Sequence, residues 1–258
     1  MEKLKEIILE AGKIIKRGYQ EDAKFDKKSA SELVTKYDKE VEEFLISKIS
    51  KLYKDYEIVG EESFNLDTIP KKAIFIDPID GTTNFVHKIP HIAISVGIWD
   101  GKPIEAIVYN PILEELYSAK ANEGAFLNGK RISVTNIDSL EDSIIATGFP
   151  YAKHLMGKEY WWVVDSFKKL LPKIRDIRRL GAAALDLCYL AEGKFNGFYE
   201  INLKPWDVAA GILIVKEAGG SVSGIRGEEY NFDNQIIVAS NKKIHQKLLE
   251  NLGEYSGR

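Results

Sequence analysis

Residues 73–85 read AIFIDPIDGTTNF, Ala73 to Phe85, and pass within thirteen positions from apolar strand to acidic turn to helix start. A buried strand that closes on Asp77 delivers a carboxylate to the sheet edge, where loops assemble sites. Asp77-Pro78-Ile79-Asp80 suits a type I turn with proline at its second position, aiming two carboxylates three residues apart at one point. Gly81 then allows close backbone approach, and Thr82, Thr83 and Asn84 open a helix whose free N–H groups attract an anion. Carboxylates beside a phosphate-sized anion repel it unless cations lie between them. The pattern therefore asks for hard divalent ions held through oxygen, Mg²⁺ first among them. The plainer alternative is a turn leading into a capped helix.

Upstream, Leu4, Ile7, Ile8, Ala11, Ile14 and Ile15 recur at helical spacing, and Gly18 is expected to end that helix. Residues 20–32 are polar and lysine-bearing and read as an exposed loop. A second helix places Val41, Phe44, Leu45, Ile49 and Leu52 on one face. Downstream, residues 92–99 alternate, with Ile92, Ile94, Val96 and Ile98 on one side, and Asp100-Gly101 and Asn128-Gly129 mark tight turns. From about 141 the pattern becomes strand and helix in alternation: SIIATG and FNGFYE as strands, 158–171 and 182–192 as helices, the second closed by Gly193. A helix over 206–217 has Pro205 near its start and Gly219-Gly220 at its end, GSVSG and IIVAS follow as strands, and a terminal helix begins at about 241. The outline is an α+β half over 1–140 carrying the acidic segments, then an α/β half over 141–258 completing the site, packed in layers.

Length and composition bound the function. The 258 residues suffice for a substantial core. A formal charge of −3, from 36 basic and 39 acidic residues, argues against a nucleic-acid binder working by bulk charge. The single cysteine excludes an internal disulfide or a Cys-based zinc site and fits a reducing compartment. The N-terminal segment carries charges throughout and resembles neither a signal peptide nor a membrane span, so a cytoplasmic location without a membrane partner is expected.

Two further acidic segments join the first: Gly60-Glu61-Glu62-Ser63, and Trp206-Asp207-Val208-Ala209-Ala210-Gly211. Singly, Glu61 and Glu62 read as solvated charges and Asp207 as a first-turn helix acid. Rival acidic motifs fail on spacing. The twelfth residue from Asp77 is Lys88, where an EF-hand loop needs glutamate. The haloacid dehalogenase pattern sets its acids two apart, and no acid lies two residues before Asp80. Taken together with Leu33-Val34-Thr35-x-x-Asp38, GAFLNG (124–129), GAAALDL (181–187) and PWDVAAG (205–211), the chain resembles the inositol monophosphatase family over nearly its whole length.

That resemblance implies an α-β-α-β-α layered sandwich, the sugar-phosphatase fold, and a lithium-sensitive, Mg²⁺-dependent phosphomonoesterase acting on inositol 1-phosphate or a related polyol or sugar phosphate. It implies two or three Mg²⁺ per site, with Mn²⁺ as a substitute, held by Glu61, Asp77, the Ile79 carbonyl, Asp80 and Asp207. Asp38 and Thr82 match the pair that orients and deprotonates the attacking water, with Glu61 beside them. Without the resemblance, Asp38 reads as an early-helix acid favoured by the dipole. Phosphate would lie on the N–H groups of Gly81, Thr82 and Thr83. The alcohol would meet Asp207, Glu200 and the backbone of Gly181, Ala182 and Ala183. Hydrolysis of a phosphate monoester demands accelerations approaching ~10²¹ and a general base supplies about 10²–10⁴, so metal clamping and in-line positioning must carry most of the effect.

The resemblance further implies a homodimer. Tyr160, Trp161 and Trp162 are candidates for its contact, although an aromatic cluster on a helix also suits a core. Cys188 reads as packing, and His87 and His91 as structural. Lys24, Lys27 and Lys28 in the 20–32 loop read by default as solvated lysines, with a metal-linked water or a second phosphate as the alternative partner, and Arg178, Arg179 and Lys204 near the substrate segment are cations that a second phosphate could meet. Fructose 1,6-bisphosphate and 3′(2′),5′-bisphosphate nucleotides are the alternative substrates, and a regulatory or RNA-machinery binding protein is the non-enzyme alternative. The near-neutral total hides a local excess: Asp38, Glu61, Asp77, Asp80 and Asp207 converge, and bound metal completes the working charge.

Overall fold

In the computed structural model, residues 1–21, 25–27, 33–63 and 68–255 are described. Helix α1 (Glu2–Gln20) is followed by β1 (Phe25–Lys27), β2 (Leu33–Thr35), α2 (Lys36–Leu52), β3 (Glu57–Gly60), β4 (Lys72–Asp80) and α3 (Thr82–Val86). A meander follows: β5 (Ala93–Asp100), β6 (Pro103–Asn110), β7 (Glu115–Lys120), β8 (Gly124–Leu127) and β9 (Lys130–Ile132). The remainder comprises β10 (Ile144–Thr147), α4 (Lys158–Leu170), β11 (Asp176–Arg178), α5 (Ala183–Glu192), β12 (Gly197–Ile201), α6 (Pro205–Glu217), β13 (Ser221–Ser223), β14 (Ile236–Ser240) and α7 (His245–Asn251).

The seven-stranded sheet runs β3-β4-β5-β6-β7-β8-β9, parallel only at β3–β4, and the five-stranded sheet runs β11-β10-β12-β14-β13. Strand periodicity sorts side chains between layers. On one face of the large sheet Ile74, Ile76, Ile94, Val96, Ile98 and Ile107 pack with α1 and α2. On the other, Ala93, Ala106, Val108, Ala119 and Ala125 meet α5 and α6. The small sheet repeats the division. Ala146, Phe198 and Ala239 face α5 and α6, whereas Ile145, Tyr199 and Val238 face α4 and α7 with Trp162 and Leu248. The result is the expected α-β-α-β-α sandwich, with α5 and α6 as its shared middle layer. That layer lies close to the large sheet. A Cβ on Gly97 would stand 2.8 Å from the Ala210 backbone nitrogen.

Several expectations are corrected. The type I turn at 77–80 is instead a bulged continuation of β4: Asp77 pairs with Ser95 and Asp80 with Ala93, so Pro78 and Ile79 oppose the single residue Ile94. Proline lacks the ladder N–H and is tolerated at such a bulge. Gly18 does not end α1, which continues to Gln20. The glycine is needed for packing, since a Cβ there would stand 2.7 Å from the Tyr37 ring. Part of the supposed 20–32 loop, Phe25–Lys27, is a strand paired with Leu33–Thr35, while Lys24 and Lys28 lie outside the described residues. The last helix begins at His245 rather than about 241. Strand β11 was not expected, its three residues being too few for a periodic signal. Asp100-Gly101 and Asn128-Gly129 do form turns, with positive φ at Gly101, Asn128 and Gly129. Trp162 is core, its indole N–H donating to the Gly253 carbonyl at 2.8 Å, whereas Trp161 stays outside. No described helix is long and apolar enough to cross a membrane.

Candidate active site

The bulge in β4 decides the site. Side chains alternate along a strand, so residues 77 and 80 would face opposite sides of a regular one. One inserted residue resets the alternation. Asp77 and Asp80 therefore both face α5 and α6, while Ile79 turns into the core beneath α1 and α2.

Three acids are each fixed at a helix start by one oxygen. Asp38 Oδ2 accepts from the Thr35 backbone N–H at 2.7 Å and the Thr35 hydroxyl at 2.6 Å, a capping box at the head of α2. Asp80 Oδ2 accepts from Ala184 N–H at 2.7 Å in the first turn of α5, across 104 residues of chain. Asp207 Oδ2 accepts from Lys204 N–H at 2.7 Å at the start of α6. The positive ends of three helices thus converge on these carboxylates. The second oxygen of Asp38 accepts from the Thr82 hydroxyl at 3.0 Å. Asp77 Oδ1 is buried and meets no hydrogen-bond donor among the described residues.

Glu61, Asp77, Ile79, Asp80 and Asp207 line one cavity of about 250 Å³, together with Gly81, Thr82, Thr83, Gly181, Ala182, Ala183 and Glu200. Asp38 stands behind Thr82, buried and reaching the cavity only through that hydroxyl. Burial, and then the neighbouring Glu61, push the Asp77 carboxyl well above its ordinary range. Burial pushes Asp80 up to about 7, opposed by the Ala184 hydrogen bond and reinforced by Asp186. Burial also raises Asp207, Glu200 and Asp38. These are anions held where anions are disfavoured, the condition that a bound cation relieves.

The donor set fits Mg²⁺: all oxygen, partly orphaned, and mutually repelling. Among the described residues no three acidic, His or Cys side chains are drawn together as a ready-made cage. Mg²⁺ does not need one, because it keeps several waters and takes one or two carboxylates at a time.

Sequence reasoning missed Thr147, Gly148, Phe149, Tyr151, Lys153 and Asp186, which also line the cavity. The available signal was Thr147-Gly148 at the end of β10, a strand end beside a glycine. A Cβ at Gly148 would lie 1.8 Å from Glu200 Oε1, so the glycine makes room for that carboxylate. Asp186 is held by His91 Nε2 at 3.1 Å, which gives His91 a structural task, and Cys188 is fully buried. Among the expected cations, Arg178 is tied to Asp176 at 2.6 Å and Lys204 does not line the cavity, whereas Arg179 does.

Five layers enclosing an acid-lined cavity at converging helix starts define a protein of the layered sugar-phosphatase type. The chain belongs to the inositol monophosphatase family, whose profile matches residues 2–256. It is 39% identical over 246 residues to the Nus factor SuhB of Escherichia coli (strain K12), covering 94% of this chain and 91% of that one. The crystal structure of extragenic suppressor protein suhB from Bartonella henselae superposes with a TM-score of 0.89 at 36% identity, covering 97% of each chain. The Staphylococcus aureus SaIMPase-II, solved with inositol monophosphate bound, gives a TM-score of 0.79 at 30% identity, covering 96% of this chain and 91% of that one. SaIMPase-II has also been solved with 2′AMP bound.

Proposed function

We propose that the protein is a Mg²⁺-dependent phosphomonoesterase that hydrolyses inositol 1-phosphate or a related polyol or sugar phosphate by direct attack of water. The observation that carries this reading is the β4 bulge, which turns Asp77 and Asp80 to one side, toward Asp207 and Glu61. Glu61, Asp77, Asp80, Asp207 and the Ile79 carbonyl would hold the metal, two or three ions per site, with Mn²⁺ as a substitute. When bound, Mg²⁺ supplies positive charge to the phosphoryl oxygens and acidifies water.

The remaining steps belong to the chain. Thr82 gives its hydroxyl hydrogen to Asp38 Oδ1, leaving its own lone pairs to orient the attacking water and hand its proton inward. Burial raises the Asp38 carboxyl above its ordinary range, against the hydrogen bonds from Thr35 and Thr82, which makes it a better proton acceptor than a solvated aspartate. The N–H groups of Gly81, Thr82 and Thr83 receive the phosphate, with Gly81 at φ 91° turning the chain into α3. Glu200, Asp207 and the Gly181–Ala183 backbone receive the hydroxyls of the alcohol.

The inositol monophosphate bound in SaIMPase-II supports the substrate class, and its 2′AMP complex supports a site that tolerates other alcohols. The test is a panel of inositol 1-phosphate, fructose 1,6-bisphosphate and an adenosine bisphosphate with Mg²⁺, each with and without Li⁺. Phosphate release that needs Mg²⁺ and falls with Li⁺ is expected. No release from any member would sink the reading.

The name Nus factor carried by the Escherichia coli relative favours a second, binding role in RNA machinery beside catalysis. A near-neutral total charge says little about a local patch, so the expectation that nucleic acid is no partner is not carried forward. A homodimer and a cytoplasmic location remain part of the proposal.

A further inference from the structure

Asp186, in the first turn of α5, is only 1% exposed and still lines the cavity. Its Oδ1 lies 3.1 Å from His91 Nε2, a contact made across 95 residues of chain. An ionised carboxylate only accepts, so Nε2 carries the hydrogen. His91 is buried in turn, and its ring packs T-shaped against Tyr189 with 5.3 Å between centres. One oxygen of Asp186 is thereby fixed. Oδ2 accepts from no donor among the described residues, and its place on the cavity wall leaves it open to a ligand.

The surroundings of Asp186 say which ligand. Burial raises the Glu200 carboxyl, Asp186 is the neighbouring charge that raises it most, and Arg179 opposes both. Burial likewise raises Asp186, against the His91 hydrogen bond and the charge of Arg179. The alcohol end of the cavity therefore holds two neighbouring carboxylates with a guanidinium near both. Carboxylates take hydrogens from hydroxyls in short, charge-assisted bonds. Another anion placed against them would be repelled.

We infer that Asp186, set in place by His91, accepts a second hydroxyl of the leaving alcohol next to the one that Glu200 receives, so that preferred substrates are monophosphates of polyols with neighbouring hydroxyls. The inference rests on the phosphatase reading and deepens it by adding a specificity residue and narrowing the substrate class. Asp186 touches the substrate through Oδ2, whereas His91 is a positioning residue that acts through Oδ1. An alcohol lacking that hydroxyl leaves Oδ2 buried without a partner, the situation in which a polar site discriminates most strongly.

The probes are inositol 1-phosphate and its monodeoxy analogues, each lacking one ring hydroxyl. Two of these analogues should lose about 10- to 100-fold in kcat/KM with the wild type, the usual worth of a hydrogen bond to a charged group. One loss belongs to Glu200 and the other to Asp186. Asp186→Asn keeps the shape and the His91 contact but puts an amide NH₂ where Oδ2 stands. It should shrink one of the two penalties to within about threefold, and Glu200→Gln should shrink the other. His91→Leu should reduce the same penalty as Asp186→Asn, and His91→Gln, whose amide can donate in place of Nε2, should restore it. The His91 pair serves where Asp186→Asn fails to fold. Penalties that stay at their wild-type size in Asp186→Asn would overturn the assignment, as would weakened Mg²⁺ binding with discrimination intact, which would make Asp186 part of the metal site. Calorimetric binding of inositol 1-phosphate and the same analogues separates the two proposals. If nothing is hydrolysed, the phosphatase reading falls. The hydroxyl site then stands or falls on whether the wild type binds the deoxy analogue more weakly and Asp186→Asn does not.

Discussion

Glu42 Oε2 accepts from the backbone N–H of Glu62 at 2.9 Å, tying the middle of α2 to the segment that carries Glu61. The same carboxylate excludes a side chain at residue 60, where a Cβ would stand 2.6 Å from Glu42 Cδ and Oε2. Helix α2 thus fixes two parts of the site from one side: Asp38 in its first turn and, one turn on, the backbone next to Glu61. Glu42→Ala should weaken Mg²⁺ binding by about 10- to 100-fold, the usual effect of removing a group that orients a metal ligand, while Glu42→Gln keeps an acceptor and much of the affinity. Titration of Mg²⁺ by calorimetry distinguishes the two. Equal losses in both variants would show that charge rather than the hydrogen bond matters.

Asp80→Asn retains an oxygen to accept from Ala184 N–H while removing the negative charge. Activity should fall to background at saturating Mg²⁺, and the fold should persist or gain stability, because a disfavoured buried charge is gone. Asp207→Asn should behave alike through Lys204 N–H. Thermal melting beside phosphate release is the check, and substantial Mg²⁺-dependent turnover by either variant would remove these residues from the metal site.

The raised acids give the metal-free protein an unusual pH dependence. A carboxyl whose folded-state pKa lies above its unfolded value binds its proton more tightly when folded, so the stability it contributes grows as pH falls. For Asp80 the window lies between about 7 and its ordinary value of 3.8. Melting in EDTA should therefore rise from pH 8 toward pH 6, and Asp80→Asn should flatten that rise. His245 acts in the opposite sense. It is held between the Ser223 hydroxyl at 2.8 Å and the Ser240 hydroxyl at 2.9 Å, and burial lowers its pKa from 6.5. Its folded-state pKa lies below its unfolded value, so the stability it contributes is lost as pH falls through 6.5. His245→Asn should remove that acid-side loss without touching the site.

How much was legible follows from which interactions are local. Helix faces and hairpins were readable because period and turn residues act within a few positions, as at Asn128-Gly129 and Gly193. The acids were readable as types, through Asp77, Asp80 and Asp207 in their segments. Their convergence was not readable from spacing, because it depends on the β4 bulge and on Asp80 meeting Ala184 from a distant part of the chain. A type I turn and a bulge both accept Asp-Pro, and only pairing with Ser95 and Ala93 chooses between them. Gly18 illustrates the same limit: it reads locally as a helix stop, while Tyr37 and Phe85 packed on it make it a contact.

The close approach of α6 to the large sheet makes Gly97 a sensitive position. A Cβ there meets the backbone of Ala209 and Ala210 at 2.9 and 2.8 Å, atoms that cannot rotate away. Gly97→Ala should destabilise the fold by about 1–3 kcal/mol, the usual cost of overpacking. Because α6 also carries Asp207, the shift should weaken Mg²⁺ binding before the protein unfolds.

The Thr82 hydroxyl offers the sharpest division of roles. It donates to Asp38 Oδ1 at 3.0 Å and lies 3.2 Å from the Ile79 carbonyl, so its single hydrogen can serve only one of them at a time. Donation to Asp38 leaves the Ile79 carbonyl oxygen available to a metal, and in the proposed mechanism the same choice would direct the proton toward Asp38. Thr82→Ala should lower kcat by about 10²- to 10⁴-fold with little change in Mg²⁺ affinity, as expected for loss of a proton relay. Thr82→Ser keeps the hydroxyl and should restore most of the rate. An alanine variant with normal kcat and weakened Mg²⁺ binding would instead assign Thr82 to the metal site.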